Sequence, residues 1–311
     1  MSTALELESD PLSRIVVATD FSPTAGLALD RGLDIAKRHG SEIALLHVMQ
    51  PELPTLAAPE MVVLPPDYEQ VLRDACLEGL SEAAQQVKSA GVRVSEHLEI
   101  GRPAQAIADA ADSLSADLIL VGTRGHTGFR HLLLGSVAEE VVRTARRPVL
   151  TVHPGDDQPI EPVKSILFPT DFSEASDQAL SAALRLLVGS VDTKIFLLHS
   201  YHLSPTIVPM IGFAGGAAPI YVDNARELAM RATTPSADRL RARGLDVEVL
   251  VERGDAAELV TELARSKNVD LIAMGTRGHS KMRQLLLGST AERVVEHAPC
   301  PVLTVHRLEQ P

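Results

Sequence analysis

Tryptophan is absent, and aromatic residues make up only 3% of the 311 residues. A binder of single-stranded nucleic acid stacks bases on aromatic faces, and this chain has few to offer. Positive charge is also short: 29 Lys and Arg against 41 Asp and Glu leave a formal net charge of −12. That balance excludes phosphate backbones and anionic membranes as general partners. Counted to Pro154 the chain carries 13 basic and 21 acidic residues, and beyond it 16 and 20, so neither part hides a basic domain. The two cysteines, Cys76 and Cys300, are too few for a disulfide scaffold or a CxxC metal site. They read as buried thiols of a reducing compartment. The opening stretch MSTALELESDPLSR has no basic start and no apolar run, so no signal peptide is expected. Pro, Gly or charge breaks every apolar stretch well before the ~18 residues of a membrane span. The expectation is a soluble, cytoplasmic protein with no membrane and no nucleic-acid partner. Hydrophobic residues at 45% still suffice for sizeable cores.

What is present is a repeat. Gly122 to His153 (GTRGHTGFRHLLLGSVAEEVVRTARRPVLTVH) aligns without gaps on Gly275 to His306 (GTRGHSKMRQLLLGSTAERVVEHAPCPVLTVH), with 22 of 32 positions identical at an offset of 153. Thr19 to Ser22 (TDFS) recurs as Thr170 to Ser173 at an offset of 151, and Ile43 to His47 (IALLH) as Ile195 to His199 (IFLLH) at 152. A period this long is a duplicated domain and not a solenoid. The seam, Pro154 to Pro162 (PGDDQPIEP), has no apolar periodicity and reads as a linker. The expected domains are residues 1–154 and 163–311.

Within the first repeat, RIVVAT (14–19) reads as a strand ending at Asp20. Ser22 and Pro23 open a helix that Gly40 stops. Further strands are expected at 42–48, 92–99, 117–121 and 148–152, with helices at 67–90, at 103–114 and from Ser136 onward. The second repeat places its strands near 164–170, 193–199, 245–251, 270–274 and 301–305. Alternating strands and helices, with strands apolar on both faces, predict a doubly wound α/β fold around a parallel sheet. Ligands of such sheets bind at the carboxyl ends of the strands, where strand order reverses. Asp20 ends the first strand and Gly122 the fourth.

The loop after the fourth strand has the spacing Gly122-x2-Gly125-x9-Gly135-Ser136, repeated as Gly275-x2-Gly278-x9-Gly288-Ser289. Glycines there allow close backbone approach to an anion and positive φ. Ser136 with Glu139, and Ser289 with Glu292, match the capping box S-x-x-E. A helix start with exposed N–H groups attracts anions. The expected result is a phosphate cradle, although plain turn glycines fit the same spacing. Arg124 and Arg277, with His126 and His279, are the donor groups beside the loop. No GxxxxGK[ST] and no GxGxxG occurs. His199 and His202 lack a third metal ligand, so no metal site is expected there. The Gly- and Pro-rich stretch 203–219 fits either a lid or a loose loop.

At these residues the chain resembles the universal stress protein family, in its tandem, nucleotide-binding branch. The carriers are Ala18 to Ser22 and Pro169 to Ser173, the two glycine loops and the closing PVLTVH strands, which together span essentially the whole length. The resemblance implies two Rossmann-like domains, each a five-stranded parallel sheet of order 3-2-1-4-5, with ATP (or ADP or AMP) between the first and fourth strands. By position, Ala18, Thr19 and Asp20 would face the nucleoside, and Val48, just past the second strand, would offer backbone groups to adenine. Gly122, Arg124, Gly125, Gly135, Ser136 and Val137 would surround ribose and phosphates. The second copy would use Pro169, Thr170, Asp171, Ser200, Gly275, Arg277, Gly278, Gly288, Ser289 and Thr290. An acidic chain that holds ATP must use backbone N–H groups, helix ends and local Arg and His, aided by Mg²⁺. Three departures, Ala18 against Pro169, Gly128 against Lys281 and Val48 against Ser200, predict two sites of unequal affinity.

Three functions compete. A regulatory nucleotide binder with little turnover is favoured, and a slow ATPase stays open, although the related SGGxDS and HIGH motifs are absent. No general base or acidic pair stands beside the loop. The third is a dimerisation module with vestigial sites. The family's last strand pairs between subunits, so a tandem chain would form an internal pseudo-dimer that can dimerise again. An unidentified regulatory protein partner belongs to the first reading.

Overall fold

The computed structural model describes residues 11–50, 66–125, 134–155, 163–187, 192–201, 218–276 and 287–306. They fall into two compact units, one for each repeat. In the first, the elements run β1 (Arg14–Ala18), α1 (Pro23–His39), β2 (Glu42–Met49), α2 (Tyr68–Ser89), β3 (Arg93–Ile100), α3 (Pro103–Ser113), β4 (Leu118–Gly122), α4 (Ser136–Thr144) and β5 (Val149–Val152). In the second they run β6 (Ser165–Pro169), α5 (Glu174–Leu186), β7 (Lys194–Tyr201), α6 (Ala218–Arg241), β8 (Asp246–Arg253), α7 (Ala256–Ser266), β9 (Leu271–Gly275), α8 (Ser289–His297) and β10 (Val302–Val305). Every expected strand is present within two residues of its expected ends.

Local chemistry sets the helix ends. The Ser22 side chain accepts the Ala25 N–H at 3.2 Å, and Pro23 stands in the first turn, where its missing N–H costs nothing. Gly40 ends α1 in the left-handed region at φ 69, donating to the Ala36 carbonyl. Ser173 caps α5 through the Ser176 N–H, and Asp255 caps α7 through the Glu258 N–H at 3.0 Å.

Strands of the first unit pair in the order β3-β2-β1-β4-β5, all parallel, and those of the second in the matching order β8-β7-β6-β9-β10. The central strands are buried on both faces: Ile15, Val16, Val17, Ile43, Leu45, Leu46, Ile119 and Leu120 are all 0% exposed. Each such side chain contributes about 1.5–3 kcal/mol by leaving water. The outer strand β3 (RVSEHLEI) carries charge and is largely half-exposed, as an edge strand should be. Because β1 lies between β2 and β4, the chain leaves β1 toward one side while the other neighbour comes from later in sequence. That is the switch point of a doubly wound sheet, and it lies at the carboxyl ends of β1 and β4. The second unit repeats it at β6 and β9.

Candidate nucleotide site

The turn after β1 is built by its own side chains. Thr19 Oγ1 accepts the Phe21 N–H at 3.0 Å, and Asp20 Oδ1 accepts the Ser22 N–H at 3.0 Å. These bonds hold Phe21 at φ 62, a left-handed conformation that a bulky residue rarely takes. Its ring then stacks on His47, with centroids 4.5 Å apart and planes at 27°. His47 Nδ1 lies 2.8 Å from the Thr19 carbonyl, and since a carbonyl only accepts, that nitrogen carries the proton. The second unit repeats the device with Thr170, Asp171, Phe172 at φ 64 and His199, whose Nδ1 donates to the Thr170 carbonyl at 2.8 Å. His47 and His199 thus each anchor to the backbone carbonyl of the turn after the neighbouring strand. The stacked Phe21 ring, the tilted Phe172 ring and the left-handed backbone of both have no signature in the sequence.

Val48 and Ser200 lie inside β2 and β7, not past them, because the strands run on beside β3 and β8 in the pairs Val48↔Glu99 and Ser200↔Glu252. β1 stops at Ala18, opposite Leu46, and the Thr19 N–H makes the final bond to the Leu46 carbonyl at 2.8 Å. Successive residues of a parallel strand turn their N–H and C=O to alternate sides. The Met49 carbonyl serves the β3 side, accepting from Gly101, so Val48 turns its N–H and C=O toward the space beyond the end of β1. Ser200 does the same, with the Tyr201 carbonyl accepting from Gly254 and the Leu198 carbonyl from Thr170. A donor and an acceptor side by side on one strand edge match the hydrogen-bonding edge of adenine.

In both units the glycine loop is pinned at its ends. The Thr123 carbonyl accepts the Gly135 N–H at 2.6 Å, and the Thr276 carbonyl accepts the Gly288 N–H at 2.9 Å. Two expectations need correction here. Positive φ is not why these positions are glycine, since Gly122, Gly125, Gly135 and Gly275 all lie outside that region. Crowding is the reason for the strand-end pair: a Cβ on Gly122 would sit 3.0 Å from the Thr24 carbonyl carbon, and one on Gly275 2.9 Å from that of Ala175. A Cβ on Gly125 would run into Asp20 Oδ2, so the turn and the loop of the first unit meet there. The capping boxes do not form either. Gly135 and Gly288 are the N-caps, Ser136 and Ser289 are the first helical residues, and no side chain caps α4 or α8. The first-turn N–H groups are therefore left to water or to an anion, and Ser136 and Ser289 are exposed beside them.

Among the described residues, two polar groups of the first loop have no partner: Thr123 Oγ1, in a side chain 0% exposed, and the buried Nε of Arg124. Buried polar atoms of this kind call for a ligand or water. The structure brings Asp20 against Gly125. It sets Ala18 and Gly122, like Pro169 and Gly275, at the ends of neighbouring strands, with Ser136 and Val137, and Ser289 and Thr290, opening the helices that follow. Arg277 and Gly278 lie outside the described residues, as do His126, His202, His279 and most of 203–219. Among the described residues, no group of three or more His, Cys, Asp or Glu could hold a metal ion, and no helix is long and apolar enough to cross a membrane. Cys76 and Cys300 are both buried, and burial pushes the Cys76 thiol up.

The sequence profile of the universal stress protein family matches this chain twice, over residues 11–153 and 162–306. The chain belongs to that family. A universal stress protein of Mycolicibacterium smegmatis is 30% identical over 300 residues, covering 94% of this chain and 96% of the relative. One from Methanocaldococcus jannaschii is 32% identical over 143 residues, 45% of this chain and 81% of its own. The crystal structure of a universal stress protein from Archaeoglobus fulgidus shares the fold, with a TM-score of 0.70, 24% identity and coverage of 97% and 98% of the two chains. The tandem architecture of this universal stress protein is thus shared along almost its full length with a relative.

Proposed function

We propose that this universal stress protein binds an adenine nucleotide (ATP, ADP or AMP) in the crevice of each repeat, and that occupancy regulates its conformation or its choice of protein partner with little turnover. The observation that carries the reading is the strand overhang. Val48 and Ser200 turn paired donor and acceptor groups into the crevice with no strand opposite them among the described residues. The fit at the other end is equally direct. The uncapped starts of α4 and α8, Gly125 and the orphaned Thr123 and Arg124 groups offer N–H and O–H donors suited to phosphate. Asp20 and Asp171, anchored by Ser22 and Ser173, are the acceptors for ribose hydroxyls. A bound nucleotide supplies charge that the loop donors gather around, and Mg²⁺ would offset part of a polyphosphate's charge beside acidic surroundings. The same reading takes the domains as residues 1–154 and 163–311, and includes a homodimer and a regulatory protein partner.

The test is to denature the purified protein, identify released nucleotide by mass spectrometry, and titrate the stripped protein with ATP. Gly125→Ala, whose Cβ would displace the Asp20 carboxylate, should weaken binding at the first site by about tenfold or more. Neither released nor titratable nucleotide from the wild type would sink the reading. ATP that stays bound for hours without forming ADP would rule out the slow ATPase.

A further inference from the structure

The two crevices differ in charge where the helix after the first strand meets the glycine loop. In the first unit this turn carries Pro23, Ala25 and Gly26. In the second, at the offset of 151, the same places hold Glu174, Ser176 and Asp177. The turn borders the loop: a Cβ on Gly275 would lie 2.9 Å from the Ala175 carbonyl carbon and 3.1 Å from the Ser176 nitrogen. The Ser176 hydroxyl donates to Asp171 Oδ1 at 2.8 Å, fixing a carboxylate beside this turn, where Ala25 has no hydroxyl to offer. Burial raises the Asp177 carboxyl above the ordinary range, and the charges of Asp171 and Glu174 raise it further. Arg239 of α6 faces Asp177 and offsets part of that repulsion.

The donors differ in the opposite sense. Among the described residues the buried Thr123 Oγ1 has no partner, and neither has the Nε of Arg124, the next residue in the chain. The corresponding Thr276 hydroxyl is already engaged, 2.7 Å from His306 Nδ1. One crevice has unspent donors and a neutral turn. The other has a hydroxyl paired with His306 and an acidic turn.

We infer that the two repeats sort adenine ligands by phosphate charge: the first repeat takes the nucleoside polyphosphate, and the second takes the nucleoside with one phosphate or none. This rests on nucleotide binding at these crevices and adds the ligand class of each. Repulsion from two added carboxylates costs more with every phosphate on the ligand, so discrimination grows from AMP to ATP.

The experiment is calorimetric titration of the nucleotide-stripped full chain with a non-hydrolysable ATP analogue and, separately, with AMP. The expected result is one equivalent of the ATP analogue and two of AMP per chain. In the double variant Glu174→Gln/Asp177→Asn, a second equivalent of the ATP analogue should appear, its affinity raised by about tenfold or more. Thr123→Val should weaken the single wild-type ATP-analogue event, and Thr276→Val should leave it unchanged. Two ATP-analogue sites of equal affinity in the wild type would overturn the sorting while leaving nucleotide binding intact, and so would a double variant that still takes one equivalent. Binding of neither ligand would overturn both.

Discussion

The ring of Phe21 lies on the imidazole of His47, centroids 4.5 Å apart, while the Phe21 backbone is held at φ 62. Stacking contributes roughly 0.5–1.5 kcal/mol beyond burial, and a left-handed non-glycine residue costs about 1–2 kcal/mol. The usual order of substitutions should therefore invert. Phe21→Ala loses the ring and keeps the strain, whereas Phe21→Gly loses the ring and releases it. The glycine variant should be more stable than the alanine variant by about 1 kcal/mol, read from urea unfolding midpoints. An alanine variant as stable as the glycine variant would show that the turn does not hold its strained conformation.

Two glycines at the start of α1 and the end of β4 should respond oppositely to alanine. Gly122→Ala places a Cβ against the Thr24 backbone at 3.0 Å, so α1 must shift; a loss of about 1–3 kcal/mol is expected. Gly26 lies in the first turns of α1 with nothing within 4 Å of a Cβ, and its φ is not positive. Gly26→Ala should stabilise by about 0.4–1 kcal/mol. Paired thermal and urea melts of the two variants check both signs.

Asp255 should make stability fall with acid. Its carboxylate accepts the Glu258 N–H and pairs with Arg293 at 2.9 Å, and these bonds hold its pKa below the ordinary value. A depressed folded pKa stabilises above the unfolded value, and that contribution is lost as pH falls through the folded one. Asp255→Ala should cost about 0.5–2 kcal/mol at pH 7 through the lost cap. The gap to wild type should narrow once pH drops below about 4. Stability curves at pH 7, 4 and 2.5 test this, and a gap constant across that range would contradict it.

Asp177 runs the other way. Burial raises its carboxyl, with Asp171 and Glu174 adding to the rise against Arg239. A raised folded pKa means that stability is fullest below the ordinary carboxylate pKa and declines as pH rises through the folded value. Asp177→Asn should therefore stabilise the protein at pH 7, and the gain should vanish in acid, where the wild-type carboxyl is protonated. A neutral-pH melt showing no gain would mean that Arg239 compensates the charge in full.

Much of this was legible in the chain itself, and the misreadings have specific causes. Ser22, Pro23 and Gly40 announced α1 because caps act over three or four residues. The S-x-x-E pattern at Ser136 also looked like a cap. The start of α4 is set instead by the long-range bond from the Gly135 N–H to the Thr123 carbonyl, which moves the cap to Gly135. The glycine spacing was visible while its reason was not, since crowding of Gly122 comes from Thr24, about a hundred residues earlier in the chain. Val48 reads as strand end in isolation and is extended only by its partner Glu99. Nothing local marked the orphaned Thr123 hydroxyl, which differs from Thr276 through its surroundings alone.

The sequence by itself determined the duplication, the alternation of apolar strands and helices, and the inventory of glycines, aspartates and helix starts, because periodicity and capping are local properties of a chain. Tertiary structure decided which strands became neighbours. Placing β1 between β2 and β4 brought Asp20 against Gly125 and left the Val48 backbone edge beyond the end of β1. It also set Ala175 and Ser176, in a turn that carries Glu174 and Asp177, against Gly275, whereas the corresponding turn of the first repeat, residues 23–26, has no acid. Those relationships depend on contacts between residues distant in sequence, whose energies arise only when the sheet closes.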